Sequence, residues 1–408
     1  SVCRMTTALH FDPADPALRR NPFPTFARLQ DEDPVHWSPA LRAWVLTRYE
    51  DVRQMLLSDT LSPDRLRPFY AQLQGERRDT LAEVMRYMSL WMVFRDPPEH
   101  TRLRKLVGTV FNLKALEAMA EPVGRVVDHL LDQLPTGRSV DWAQQVAAPL
   151  PAYVIMDMLK IPYAAFPELK EASDELRAFI GGARADGDRY ATARRGAERL
   201  ASFFRALIAE RRAAPGDDFV SRMIAARDEG GRLSEDELIA TCMLVLFAGH
   251  ETTTHLLGNA VHALLDHPDQ LQRLRDEPGL INSAVEEFLR YDGPSHALAR
   301  VVKTDHEVDG KLLKAGDRVF GFANAGNRDP RAFTDPQGLD IGRKPNRHLT
   351  FGFGLHFCMG APLARIEGQQ CIGRLLQRFK RLERAPGEPV WIDALAMRGV
   401  SRLPVQLG

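Results

Sequence analysis

From Leu233 to Pro268 the chain reads LSEDELIATCMLVLFAGHETTTHLLGNAVHALLDHP. Apolar residues close into an almost unbroken run from Cys242 to Ala248. A pattern that is apolar all round predicts a helix through the centre of a protein. Ser234 and Glu237 have the S-x-x-E spacing of a capping box, which sets its start. The helix then runs for roughly 30 residues, or roughly 45 Å. Gly249, His250, Glu251, Thr252 and Thr253 interrupt the apolar run, and glycine plus hydroxyl residues can disturb a helical ladder. Leu103, Leu106, Val107, Val110 and Phe111 also fall at helical spacing, directly after DPPEH. Helical patterns dominate from about 114 to 292, punctuated at LPTG, APGDD and DEGG. Near both ends the pattern changes. VHWSPALRAWVLTRY (35–49) predicts a strand hairpin, and ALARVV, HEVDGKLL and DRVFGFA (within 297–323) predict further strands. A Pro/Gly/Asn-rich stretch, 323–350, leads into FGFGLHFCMG (351–360). A helical stripe of Ile372, Leu375, Leu376 and Phe379 follows. The layout is mainly α with small β-sheets. No repeat or linker composition divides it, so a single domain over 1–408 is expected.

A chain of 408 residues, 44% of them hydrophobic, can bury a sizeable core and still enclose a ligand cavity. Its 54 Lys and Arg balance 54 Asp and Glu, so nothing draws it globally to nucleic acid. Cys3, Cys242, Cys358 and Cys371 are scattered without a CxxC pair. This argues against a disulfide scaffold, a zinc ribbon or an iron–sulfur cluster, and for a reducing, cytoplasmic setting. The polar opening SVCRMTTALHFDPADP is expected to be neither signal peptide nor membrane anchor. The longest apolar run, around 242–249, is well short of the roughly 20 residues that span a bilayer.

Four groups of residues carry candidate chemistry. Cys358 lies in a glycine-dense loop just before a predicted helix, where the dipole favours an anion by roughly 0.3–1 kcal/mol. Gly352, Gly354 and Gly360 let backbone N–H groups turn toward its sulfur. A free cysteine more often ends as a small buried hydrophobe, but Phe351, Phe353 and Phe357 suggest a flat apolar ligand. Glu251 and Thr252, an acid and an alcohol inside an apolar helix, are costly to bury without a role such as proton delivery. HETTTH invites comparison with the zinc motif H-E-x-x-H, but its second histidine is His255, at i+5 and about 140° round the helix. Glu287 and Arg290 are an i, i+3 pair that a surface helix would also show. His100 and Arg104 share a helix face, and with Arg300 and His356 they could clamp two carboxylates of a flat ligand.

Together these pieces resemble the cytochrome P-450 superfamily, the haem-thiolate monooxygenases, in its soluble bacterial form. The resemblance spans nearly the whole chain. Phe351, Gly354, His356, Cys358 and Gly360 match the haem loop F-x-x-G-x-H-x-C-x-G, a highly specific signature. Ala248 to Thr253 match A-G-x-[DE]-T-T, and Glu287 and Arg290 match E-x-x-R upstream of the loop. DPPEHTRLR is similar to the family's haem-edge helix and NRDP (327–330) to its meander. The resemblance implies haem b between the long central helix and the Cys-loop helix, with Cys358 as axial thiolate. It implies propionate binding by His100, Arg104, Arg300 and His356, and haem contacts from Ala248, Phe351, Gly352 and Gly360. It makes Glu287 and Arg290 a structural pair, with Arg343 as candidate third member, and Glu251–Thr252 the acid–alcohol pair of oxygen activation.

The reaction implied is hydroxylation or epoxidation of a medium-sized apolar organic molecule, using O₂ and two electrons. By the family's pattern the pocket is walled by Leu90, Val93, Phe94, Leu244, Phe247, Ala248, His296 and Met397. His296 is able to bond one polar group of the substrate, and a loop near 176–182 acts as lid. The chain holds no flavin fingerprint and no cluster-binding cysteine set. The expected donor is therefore an acidic ferredoxin served by a flavin-dependent reductase. It would dock on a basic face of Arg102, Lys105, Arg343, Lys344, Arg347 and Arg365. A monomer is expected, without membrane or nucleic-acid partner. A peroxide-driven peroxygenase and a non-catalytic haem sensor or carrier are the competing readings. The intact Glu251–Thr252 pair argues against both.

Overall fold

The structure, a computed structural model, describes residues 9–180, 188–227 and 231–408. Cys3 lies outside them. The central helix runs Glu235–Asp266, 32 residues. Its capping box forms: the Ser234 hydroxyl accepts from the Glu237 N–H at 3.2 Å, and the Glu237 carboxylate accepts from the Ser234 N–H at 2.8 Å. Helices Pro149–Leu159, Arg189–Ala213, Ile281–Asp292 and Ala361–Arg378 pack round it. That surround explains why its residues 238–244 are buried on every side.

The helix continues unbroken through Gly249–Thr253. A Cβ on Gly249 would meet the Ile155 side chain at 2.5 Å. The glycine therefore serves close approach of the Pro149–Leu159 helix, where a disturbed ladder was expected.

Strands from 35–62 and from 297–322 meet in one five-stranded sheet. We number its strands β1 (Val35–Ser38), β2 (Ala43–Leu46), β3 (Leu61–Ser62), β4 (Ala297–Val302) and β5 (Arg318–Phe322). Their order is β1-β2-β5-β4-β3. Only β2 and β5 run parallel, with Trp44 opposite Val319. The 35–49 hairpin is present, its turn closed through Arg42 at φ 50°. β3 pairs with β4, Ser62 opposite Val301. This register matters for the site, because it sets the loop after β3 beside Arg300.

The helix Glu99–Val110, here the clamp helix, buries Leu103, Leu106, Val107 and Val110 in the main core and carries His100 on its first turn. Among the described residues no helix is long and apolar enough to cross a membrane.

Candidate active site

A cavity of about 720 Å³ lies between the central helix and the 351–360 loop. Cys358, Glu251, Thr252 and Thr253 all line it. The loop folds back on itself. The Cys358 N–H donates to the Phe351 carbonyl at 2.9 Å, and the Gly352 N–H to the Leu349 carbonyl at 2.8 Å. Gly352 at φ +74° and Gly354 at φ +70° occupy the left-handed region that a Cβ disfavours, and a Cβ on Gly354 would also press on Leu57 at 2.9 Å. The helix Ala361–Arg378, here the loop helix, begins directly afterwards, so its first N–H groups face the sulfur. Cys358 is accessible yet deep in the molecule, because the surface it shows is cavity wall. Burial pushes its thiol up; the Gly360 and Ala361 N–H groups and the charges of Arg104 and Arg365 pull the other way. Cys371 and Cys242 are buried, with nothing that favours a thiolate.

One edge of the cavity collects arginines and imidazoles. His100, Arg104, Arg300 and His356 all line it. The His100 and His356 rings lie 4.1 Å apart, centroid to centroid. His100 is 1% exposed and neither ring nitrogen has a partner. Arg104 donates to the Phe357 carbonyl at 2.8 Å and Arg300 to the Ala299 carbonyl at 2.8 Å. Burial pushes Arg300 down to about 10, and burial with neighbouring His100, Arg300 and Arg104 pushes His356 to about 3. Such a set of crowded donors is poised for anions.

On the opposite side, the Thr252 hydroxyl donates to the Ala248 carbonyl at 2.9 Å. Burial raises the Glu251 carboxyl, and Arg177 opposes that shift through an ion pair at 2.9 Å. Arg177 also reaches Asp174 at 3.4 Å, which Lys170 pairs at 2.6 Å. Neither His250 nor His255 takes part in a metal-ligand cluster among the described residues, and burial pushes both to about 4.

Glu287 and Arg290 are both 0% exposed and joined by two hydrogen bonds of 2.8 Å. Arg343 adds a contact at 3.1 Å, Asn346 one at 3.1 Å and the Asp340 N–H one at 2.9 Å. Arg290 also donates to the carbonyls of Asn327, Pro336 and Gly338 at 2.8–3.0 Å. The pair thus ties its helix to the irregular chain that precedes the Cys358 loop.

Several expectations need correction. Val93, Phe94, Leu244, Phe247, Ala248 and Met397 line the cavity; Leu90 and His296 do not. Leu90 is half-buried and packs against the main core. His296 sits between Ser295 and Ala297, which do face the cavity, so period-two alternation sends its side chain the other way. There its ring packs against Phe26 and Phe322, its Nδ1 lies 3.2 Å from the Asn324 amide, and burial pushes it to about 3. It cannot bond a substrate in that position. The lid segment up to Ile180 is the end of the helix Phe166–Ile180, from which Arg177 and Ile180 line the cavity; 181–182 lie outside the described residues. The basic face is also thinner than expected. Arg102 pairs with Glu237, Arg343 with Glu287, and Arg365 with Glu286 at 2.6 Å. Lys105, Lys344 and Arg347 are exposed and have no ion pair among the described residues.

Among the cavity residues that sequence reasoning did not single out are Arg65, Trp91 and Glu367, and Arg177 entered only as part of the lid segment. Only Glu367 left a readable sign, an acid on the stripe Leu363–Glu367–Cys371 at i, i+4 spacing. It is 1% exposed, and burial raises it to about 8. Thr253 is near enough to lower it somewhat, yet neither carboxylate oxygen makes a hydrogen bond of ordinary geometry.

Comparison with known proteins assigns the class. A family model for cytochrome P-450 matches residues 71–404. The vitamin D(3) 25-hydroxylase of Pseudonocardia autotrophica is 39% identical over 95% of this chain and 94% of its own. The 6-deoxyerythronolide B hydroxylase of Saccharopolyspora erythraea is 35% identical over 94% of this chain and 95% of its own. The crystal structure of CalO2 superposes with a TM-score of 0.90 at 31% identity, covering 98% of this chain and 99% of that one. P-450BioI, solved with an acyl carrier protein carrying hexadec-9Z-enoic acid, gives 0.88 at 32% identity over 96% and 99%. The chain belongs to the cytochrome P-450 family. It has that family's fold, and it is an oxidoreductase of the monooxygenase type, a class built on haem-thiolate chemistry.

Proposed function

We propose that this monooxygenase is a single domain that holds haem b with Cys358 as axial ligand and hydroxylates a medium-sized, largely apolar organic molecule. The observation that carries the reading is the placement of one enclosed thiol, with N–H groups turned toward it, on the same cavity as the Glu251–Thr252 turn. The residues present fit the group. His100 has two unpartnered ring nitrogens, and Arg104 and Arg300 bond only carbonyls, so two propionates would satisfy donors that the protein leaves open. Phe351, Gly352, Ala248 and Gly360 offer flat or small surfaces beside them.

Haem supplies the activation of dioxygen, which no side chain can perform. The protein's part is binding, orientation and proton supply. Cys358 provides a thiolate whose donation is moderated by the Gly360 and Ala361 N–H groups. Glu251, raised by burial, keeps a proton closer to neutrality than an exposed carboxyl would, as a general acid requires. Thr252 Oγ1 can accept that proton and donate its own into the cavity when it leaves the Ala248 carbonyl. Trp91, Val93, Phe94, Leu244, Phe247 and Met397 exclude water round the substrate. Relatives named as hydroxylases of vitamin D(3) and of 6-deoxyerythronolide B support an organic substrate of medium size.

Electrons come from outside the chain, and we assign the donor as a ferredoxin with its flavin-dependent reductase, in the cytoplasm. The test compares turnover with ferredoxin, reductase, reduced nicotinamide and O₂ against turnover with peroxide alone. Product in the first mixture and little in the second supports the reading. Equal or faster turnover with peroxide alone would favour the peroxygenase.

A further inference from the structure

One guanidinium on the cavity wall has no role in anything described above. Arg65 follows β3 in the stretch LSPDRLRP. The pairing of Ser62 with Val301 brings this turn beside Arg300. The turn is held by its own side chains. Ser62 Oγ accepts from the Asp64 N–H at 3.0 Å and donates to the Asp96 carboxylate. Asp64 accepts from the Arg67 N–H at 3.1 Å and pairs with the Arg67 guanidinium. Asp64 and Asp96 are therefore both occupied elsewhere.

Arg65 lines the cavity, with its guanidinium carbon 4.8 Å from the centre of the Phe94 ring. Among the described residues it has no ion pair and no side-chain hydrogen bond. Burial pushes it down to about 10, and no acid offsets that. Arg300, which bonds only the Ala299 carbonyl, is likewise pushed down by burial, and Arg65 lowers it further; only Asp96 acts in the other direction. Two neighbouring guanidiniums with so little counter-charge are unfavourable in a low-dielectric wall. A stacked aromatic steadies one of them but does not neutralise it. What relieves both is an anion brought in from outside. A planar fork of N–H donors matches a carboxylate bidentately, which a lysine would not.

We propose that Arg65, beside Arg300, is a carboxylate-binding residue of this cavity. The carboxylate is either a propionate of the haem or the head group of a bound organic acid. The first source rests on the haem reading given above; the second does not.

Both sources can be tested on the same proteins: the wild type, Arg65→Leu and Arg65→Lys. In one arm each is loaded with haem b or with its dimethyl ester, and the rate of haem capture by excess apomyoglobin is followed. A lost charge-assisted hydrogen bond should speed release from Arg65→Leu by about tenfold, with Arg65→Lys between. With the ester, the ratio of variant to wild type should fall to about one. In the other arm, equilibrium dialysis measures the binding of dodecanoate and dodecanol. If haem release is unchanged but dodecanoate alone binds about tenfold more weakly to Arg65→Leu, the carboxylate is the ligand's and the proposal stands. It is overturned if neither arm changes. It is also overturned if ester and acid haem are released alike faster, or if dodecanoate and dodecanol weaken together, since Arg65 would then act only by packing on Phe94. A wild type that binds no haem defeats the haem reading, and the dialysis arm still decides on Arg65. Should the leucine variant fail to fold, Arg65→Gln repeats both arms with an uncharged polar side chain.

Discussion

Thr252 donates to the carbonyl of its own helix at Ala248, one turn back. Such a bond is easily exchanged for one to a ligand or water in the cavity, which is what a relay hydroxyl needs. Removing the hydroxyl should leave the apolar walls, and so substrate binding, intact. Thr252→Ala is expected to consume reductant and O₂ at near the normal rate while product per electron pair falls and peroxide is released. Stoichiometry of reductant, peroxide and product measures it. A positioned proton donor contributes typically about 10²–10⁴-fold, so unchanged coupling removes Thr252 from the relay. At this scale the sequence was readable where chemistry makes a residue conspicuous against its surroundings. Glu251 and Thr252 stood out inside an apolar run and Cys358 inside glycines. Arg65 and Arg177 did not, because an arginine in a polar stretch looks like plain surface until the fold shows that it borders a cavity. His296 misled for a related reason: the family pattern placed the segment, but only the pleat decides which alternate side chains face the cavity.

Among the elements, the central helix was the most legible. Its capping box set a start at Ser234 and its pattern a length of roughly 30 residues, against Glu235–Asp266, 32 residues, observed. The meaning of Gly249 was not legible, since it depends on Ile155 of another helix. The E-x-x-R pair shows the same limit more strongly. Spacing suggested only an i, i+3 contact. Besides Arg290, the structure gives Glu287 three partners, and Arg290 three carbonyls, all from chain 37–59 residues further on. Because both charges are fully buried, removing one leaves the other uncompensated, at a typical cost of about 3–5 kcal/mol. Glu287→Ala should therefore lower stability by that order and yield protein with little haem, because the 323–350 stretch that leads to the Cys358 loop loses its anchor. Urea midpoints and the haem-to-protein ratio test this. A variant with full haem and an unchanged midpoint would show the network to be dispensable.

The whole molecule brings distant parts of the chain together round one cavity: β2 pairs with β5 and β3 with β4, Trp44 opposite Val319 and Ser62 opposite Val301, and the Cys358 loop closes on a helix that begins at Glu235. No local pattern encodes that meeting, though the joint order of motifs did point to it. Net charge is zero, so docking of an acidic electron donor depends on a local patch. The structure reduces the expected cluster to Lys105, Lys344 and Arg347, with Leu355, 61% exposed, as an apolar contact in the Cys358 loop. First-electron transfer from ferredoxin should slow as salt rises, and more steeply than in Lys105→Glu or Arg347→Glu, which start slower at low salt. A stopped-flow rate indifferent to both salt and charge reversal would place the docking face elsewhere. The central claim, however, is that the enclosed Cys358 thiolate holds the haem iron. The most direct measurement is the spectrum of the reduced carbon monoxide complex for wild type, Cys358→His and Cys371→Ala. The account predicts the red-shifted Soret band of a thiolate-ligated haem in the wild type and in Cys371→Ala, and its loss in Cys358→His. A red-shifted band that survives in Cys358→His would contradict it.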